Sequence, residues 1–250
     1  MYGDPDGPSV VVIPGAMADA AQWAGVAGRL DGWRAVAVVN RRGRQPSGPL
    51  TDGYGFATEV EDAAAVLRTF TDVRTLFGWS YGGLIAVHLA GTLPVPHLVA
   101  YEPVMAPFGA AALPDLRRAH EDGDLDAVVT VALRQVTGVG DDMVGALRAD
   151  EATWSELRRL AAPAYHETLA INQAPLPATL AVRAARVDLI VGEHNRGRAP
   201  YGSSFDDVAR RLPGATVHEL GGQGHLAYRE APGRLADLIN RLRVPAIGAR

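Results

Sequence analysis

The sequence predicts an α/β chain, a doubly wound and mostly parallel sheet with a block of helices inserted between two of its strands. Three observations predict it. Short apolar runs of strand length alternate with helix-length amphipathic segments almost from the first residue, which is the order that βαβ units produce. Most of those runs are continuously apolar rather than alternating, as expected for strands covered on both faces. The alternation fails once, from about residue 104 to 184, where only helical patterning is found.

In chain order, "SVVVIPG" (9–15) is the first strand candidate, and it ends at a Pro-Gly turn signal. A helix candidate at about 20–31 leads to the strand "RAVAVVN" (34–40), and a second at about 56–71 leads to "RTLFGWS" (74–80). A third, at about 82–92, leads to "HLVAYEP" (97–103). Then comes the excursion, with helical stretches such as "LDAVVTVALRQV" and "ATWSELRRLAAPAYHETLAIN" broken by Pro and Gly. It is too long for a plain crossover loop. Residues 104–184 are therefore read as a helical lid over the strand ends, with extra helices packed on one side of the sheet as the alternative, and 1–103 and 185–250 as the core. The strands resume with "VDLIVGE" (187–193) and "TVHELGG" (216–222), interleaved with helix candidates at 204–212 and 232–243.

Composition narrows the function classes. The 250 residues fit one large domain with an insertion, and 48% apolar with 21% charged residues is ordinary for a globular chain. The absence of cysteine removes disulfides, thiol catalysis and thiolate metal sites together. The opening "MYGDPDGP" is polar and turn-forming, unlike a signal peptide. No apolar run approaches the ~20 residues of a membrane span. A cytoplasmic protein without membrane attachment is expected. The net charge is −4, and all 24 basic residues are Arg, spread in pairs such as Arg41-Arg42 and Arg158-Arg159 among acidic residues. That spread excludes a basic nucleic-acid face.

The chemistry is concentrated in "LFGWSYGG". Gly78-Trp79-Ser80-Tyr81-Gly82 sits at a strand end with a helix following. Glycines two before and two after the serine permit a strained strand-to-helix turn. That turn lifts the hydroxyl clear of the sheet and onto a helix N-terminus. In this placement the chain resembles the α/β-hydrolase family, over nearly its whole length. The resemblance implies Ser80 as nucleophile. It also implies that the loop after the first long strand, Pro14-Gly15-Ala16-Met17, supplies an oxyanion amide. Many relatives have His-Gly where this chain has Pro14-Gly15, but the loop's task is to present a backbone N–H. The two donors implied are the amides of Ala16 and Tyr81, with Met17 and Trp79 as neighbours that could meet substrate or support the site. "NRRGRQPSG" (40–48) is similar to a wall-forming loop of relatives, with Arg41 or Arg42 as a minor candidate for substrate contact. "ELGGQGHLAYRE" resembles the loop that carries the general base, which implies His225.

The triad's acid is the anomaly. Relatives often place Asp after the strand equivalent to 187–193, and there this chain has Asn195. An amide carries no charge to stabilise an imidazolium. A substitute stands at the end of "HLVAYEP", where Glu102 closes an otherwise apolar strand. This is similar to haloalkane dehalogenases that take their acid from the same strand end. The expected triad is Ser80, His225 and Glu102, with Asn195 supporting it; Asn195, Glu193, Asp188 and Asp206 are the alternative partners of the histidine, alongside a bare Ser-His dyad.

The expected function is serine hydrolysis of an ester, thioester or lactone of a mid-sized apolar small molecule, with no cofactor and no metal. A lyase, acyltransferase or cyclase/dehydratase of natural-product metabolism using the same Ser-His site is the alternative, and a catalytically inactive ligand-binding module is the third reading. Relatives also carry two antiparallel strands ahead of the first long one. Only eight residues precede Ser9, so those strands are expected to be reduced or to lie upstream of the start. Their loss would leave the strand at 34–40 near an exposed edge, with a homodimer across that side as one outcome.

Overall fold

The computed structural model describes residues 1–243. Residues 244–250, the end of the expected core, lie outside the described residues. The strands are β1 (Tyr2–Gly3), β2 (Pro8–Ile13), β3 (Ala35–Val38), β4 (Asp72–Trp79), β5 (Leu98–Tyr101), β6 (Val187–Gly192) and β7 (Thr216–Leu220). They form one seven-stranded sheet in the order β1-β3-β2-β4-β5-β6-β7. All neighbours are parallel except β1, which runs antiparallel to β3.

The helices are α1 (Ala24–Ala27), α2 (Phe56–Leu67), α3 (Tyr81–Thr92), α4 (Leu113–Glu121), α5 (Leu125–Val131), α6 (Asp141–Ala149), α7 (Glu151–Ala161), α8 (Ala164–Gln173), α9 (Tyr201–Arg210), α10 (Ala227–Glu230) and α11 (Pro232–Leu242). Side chains alternate along each strand, so one sheet feeds two cores. Val11 and Ile13 pack with α2, α3 and α9, whereas Val10 and Val12 pack with α1 and α11. The α11 residues Leu235, Leu238, Ile239 and Leu242 are buried, the one-sided stripe of a surface helix. α3 is buried on nearly every side, because sheet and neighbouring helices both cover it.

The chain moves outward from β2 to β3, then returns to β4 and continues the other way. The sheet therefore reverses direction between β2 and β4, and the C-terminal end of such a switch point is where open α/β sheets bind ligands. Register aligns the strand ends there. Ile13 pairs with Gly78, Trp79 with Tyr101, Tyr101 with Ile190, and Gly192 with Leu220. Each strand accordingly stops just before a loop that carries an expected site residue.

The excursion between β5 and β6 holds α4–α8 with an apolar cluster of their own, built around Leu116, Val128, Leu133, Val144 and Trp154. Asp124 and Asp150 cap α5 and α7 by accepting the Ala127 and Thr153 amides at 2.9 and 3.0 Å. The helices end at Gln173. The chain then returns to the core, where Ala181 and Arg183 donate to the Val87 and Ala90 carbonyls of α3 at 3.2 and 2.9 Å. Residues 180–184 thus lie on the core side of the boundary expected at 184.

Some elements differ from expectation. The helix expected over 20–31 is only a 3-10 turn at Ala21–Trp23 and the single turn of α1, because Gly25 and Gly28 disfavour a longer one. The stretch 125–136 is α5 continued by a π turn over Ala132–Val136. The strand at 34–40 is not a bare edge: β1 covers Ala35 and Val36, although with only two residues. No helix among the described residues is long and apolar enough to cross a membrane.

Candidate active site

Ser80 follows the last residue of β4 and precedes the first of α3 with φ 56° and ψ −121°. A non-glycine residue with positive φ is strained. The strain is accommodated by glycines on both sides: a Cβ on Gly78 would strike the Gly82 carbonyl, and one on Gly82 would strike the Ile13 carbonyl. Among the described residues the other positive-φ non-glycines are Met17 (52°), Glu102 (40°) and Ala181 (48°). Three of these four strained positions belong to the segments expected to form the site.

Glu102 is fully buried just past β5. Its Oε2 lies 2.6 Å from His225 Nδ1. Its Oε1 accepts the Gly192 amide at 2.8 Å, and Asn195 Nδ2 donates to both oxygens at 3.0 and 2.9 Å. The residue where relatives carry an acid thus supports the carboxylate that faces the histidine. A carboxylate in this setting accepts, so Nδ1 of His225 carries the proton and Nε2 keeps its lone pair. Burial lowers the His225 pKa, and the Glu102 hydrogen bond and charge oppose that shift without cancelling it. The imidazole rests neutral near pH 7.

The histidine loop is held at two consecutive carbonyls. Trp79 Nε1 donates to the His225 carbonyl at 2.9 Å, and the Tyr101 hydroxyl donates to the Gly224 carbonyl. Trp79 therefore positions the His225 loop, and its ring also packs 4.7 Å from the imidazole. On another side Tyr201, opening α9, stacks on His225 with ring centres 3.6 Å apart and planes at 16°. Phe108 extends that wall, 5.5 Å from the Tyr201 ring. Ser80 and His225 are both nearly enclosed.

The loop Pro14-Gly15-Ala16-Met17 lies beside the elbow, and a Cβ on Gly15 would clash with the Ser80 Cβ and the Trp79 ring. Among the described residues the Ala16 amide donates to no protein acceptor. Tyr81 opens α3, so its N–H has no intrahelical acceptor either. Met17 packs against the helical cluster between β5 and β6. Arg41, a minor candidate for substrate contact in the sequence, is instead buried and donates to the Pro14 and Gly15 carbonyls at 2.9 and 2.8 Å.

The alternative acids stand elsewhere. Asp188, near the other end of β6, accepts from His97 and His218 at 2.6 and 2.7 Å and pairs with Arg186. Glu193 accepts the Gly222 amide at 2.6 Å, and Asp206 is exposed on α9. Arg42 pairs with Asp62 on α2. Among the described residues no group of three or more His, Asp or Glu could hold a metal ion. The sequence reading missed Tyr101, Tyr201 and the buried carboxylates Glu59 and Glu167.

A family profile described as "Alpha/beta hydrolase family" matches residues 10–238. An alpha/beta hydrolase from Sphaerobacter thermophilus DSM 20745 is 25% identical with a TM-score of 0.70, over 94% of this chain and 92% of that one. An enol-lactonase from Burkholderia xenovorans LB400 is 17% identical with a TM-score of 0.72, over 95% and 92% of the two chains. The alpha/beta hydrolase MGS-M2, from a Medee basin deep-sea metagenome library, is 14% identical with a TM-score of 0.75, over 100% and 94%. No curated protein matches the sequence.

Proposed function

The chain belongs to the alpha/beta hydrolase family, and from that premise we propose that it is a serine hydrolase acting on an ester, thioester or lactone through Ser80, His225 and Glu102. The observation that carries the reading is the 2.6 Å contact between His225 Nδ1 and a buried Glu102 carboxylate. It fixes the tautomer that leaves Nε2 free to accept the proton of a serine held in a strained elbow.

In this reading Ser80 Oγ attacks the acyl carbon while His225 Nε2 takes its proton. The carbonyl electrons move onto oxygen, where the Ala16 and Tyr81 amides stabilise the oxyanion. Each such donor is worth ~10²–10³ in turnover. The imidazolium is stabilised by Glu102 and faced by the Tyr201 ring, an aromatic surface that favours cations. It returns the proton to the leaving alkoxide of an ester or lactone, or the thiolate of a thioester, and water repeats the sequence on the acyl-enzyme. The rings of Tyr201 and Phe108 beside His225 favour a largely apolar acyl group.

A fluorophosphonate probe tests the reading. It should add covalently to Ser80, with Ser80→Ala unlabelled; a wild-type protein that takes no label overturns the assignment. Turnover in ¹⁸O water should then place the label in an acid product, and an unlabelled product would mark transfer or elimination instead.

A further inference from the structure

The loop expected to hold the oxyanion is itself held by a buried cation. Arg41 is fully enclosed and uses four of its donors. Nε meets the Pro14 carbonyl, Nη1 meets Glu59 at 2.5 Å, and Nη2 meets both the Gly15 carbonyl and Glu167 at 2.8 and 2.5 Å. Its guanidinium also lies 4.9 Å from the centre of the Tyr81 ring. It therefore touches the peptide that carries the Ala16 N–H, through the Gly15 carbonyl, and Tyr81, through its ring.

The carbonyl contact has a geometric consequence. Gly15 C=O and Ala16 N–H belong to one trans peptide, so the two point in opposite directions. A guanidinium that fixes the carbonyl on its own side aims the Ala16 N–H away from it. The positive charge at the oxygen also polarises that peptide, which makes its N–H a stronger donor. A second tie comes through the neighbouring carbonyl of Pro14, so the loop cannot rotate about one bond alone.

Arg41 is set in turn by α8, between β5 and β6, and by α2. Glu167 on α8 accepts from Arg41 and also from Arg44, at 2.6 and 2.8 Å. The Tyr54 hydroxyl holds Glu59 at 2.6 Å. Burial alone would lower the Arg41 pKa, but Glu167 and Glu59 raise it above its usual value, so the cation persists at any working pH. A buried ion cluster of this kind is a poor source of stability compared with apolar packing. What it does supply is a fixed loop geometry joined to the position of α8.

We infer that Arg41 is the positioning residue of the oxyanion hole, aiming the Ala16 N–H through the Gly15 carbonyl, and that Glu167 of α8 fixes Arg41 for that task. The inference rests on the Ser80 reading above. Lysine is a point charge on a flexible stem and cannot meet four acceptors at once. Arg41→Lys should lower kcat on an activated ester about 30- to 100-fold while KM stays within about threefold, because the lost contact acts in the transition state. Affinity for a trifluoromethyl ketone, which forms an oxyanion on Ser80, should fall in parallel. A purely structural role would leave kcat per folded molecule and ketone affinity unchanged, and a folded Arg41→Lys with both near wild type overturns the inference. If that variant does not fold, Glu167→Gln decides by the same two readouts, with a fall of roughly tenfold in each expected and no change in either overturning it. Fluorophosphonate labelling of the wild type in the same experiment separates the two levels. Without labelling the Ser80 reading fails, whereas labelling with an unaffected variant removes only the role of Arg41.

Discussion

At the scale of single residues, the site turns on which group faces His225 Nδ1, and that group is Glu102. Glu102→Gln should lower kcat about 10³- to 10⁴-fold, the range of an Asp-to-Asn change in a serine-protease triad. Asn195→Ala removes only a neutral donor to an already bonded carboxylate and should cost less than about tenfold. Equal losses in the two variants, read as kcat on one activated ester, would reject this division. Because burial lowers the His225 pKa, the acid limb of kcat/KM should fall below the usual histidine value of about 6.5. Glu102 opposes that shift, so any residual activity of Glu102→Gln should titrate at still lower pH; a limb displaced upward would contradict the pairing. Ser80, His225 and Glu102 could be read in the sequence because each follows an apolar strand or sits in a glycine-marked loop. Tyr201 could not be, since nothing in "RAPYGSS" shows that α9 carries its ring onto His225. Glu59 and Glu167 left a fainter trace. Glu59 is buried with Phe56 and Ala63, and Glu167 with Ala164 and Ile171, so each acid occupies an apolar position of its helix. An acid at such a position needs a buried partner. Its identity, Arg41, becomes visible only when segments 18 and 126 residues away come together.

At the scale of elements, the strand runs were legible because burial on both faces removes polar residues. Their ends were not: β2, β4, β5, β6 and β7 all stop short of the apolar pattern, since the residues just beyond them are the loops that build the site. Helix boundaries were clearest where capping chemistry is local. Asp150 shows this at α7, where its side chain accepts the Thr153 amide at 3.0 Å. Asp150→Ala should cost about 1 kcal/mol of stability and lower Tm by roughly 2–4 °C for a chain of this size. Kinetic constants should not change, because α7 reaches the site only indirectly, through Arg159 to Asp19, Glu156 to Gln22 and the Leu160 carbonyl to Arg44. An unchanged Tm in calorimetry would show that the cap bond is replaced by solvent. A changed kcat would show that α7 and the loop Pro14–Met17 are more tightly joined than those three contacts imply.

At the scale of the whole molecule, two buried carboxylates tie distant parts of the chain and should govern how it responds to acid. Glu167 joins α8 to the loop after β3 through Arg41 and Arg44, and Asp188 joins β6 to β5 and β7 through His97 and His218. Burial alone would raise the Glu167 pKa, but the two arginines hold it at about 2, well below its usual 4.5. Burial would likewise raise Asp188, and its bonds to His97, His218 and Arg186 hold it at about 2. In both cases the folded chain binds the proton less readily than the unfolded one. The stability these groups supply is therefore complete above pH 4.5 and is lost as the pH falls toward 2. Urea unfolding at a series of pH values should show stability falling between pH 4.5 and 2. Glu167→Gln cannot titrate, so its curve should start lower at pH 7 and descend less steeply over that interval. Parallel curves for the two proteins would mean that the acid response comes from other carboxylates, and that the Arg41-Arg44-Glu167 cluster is held together by packing rather than by its charges.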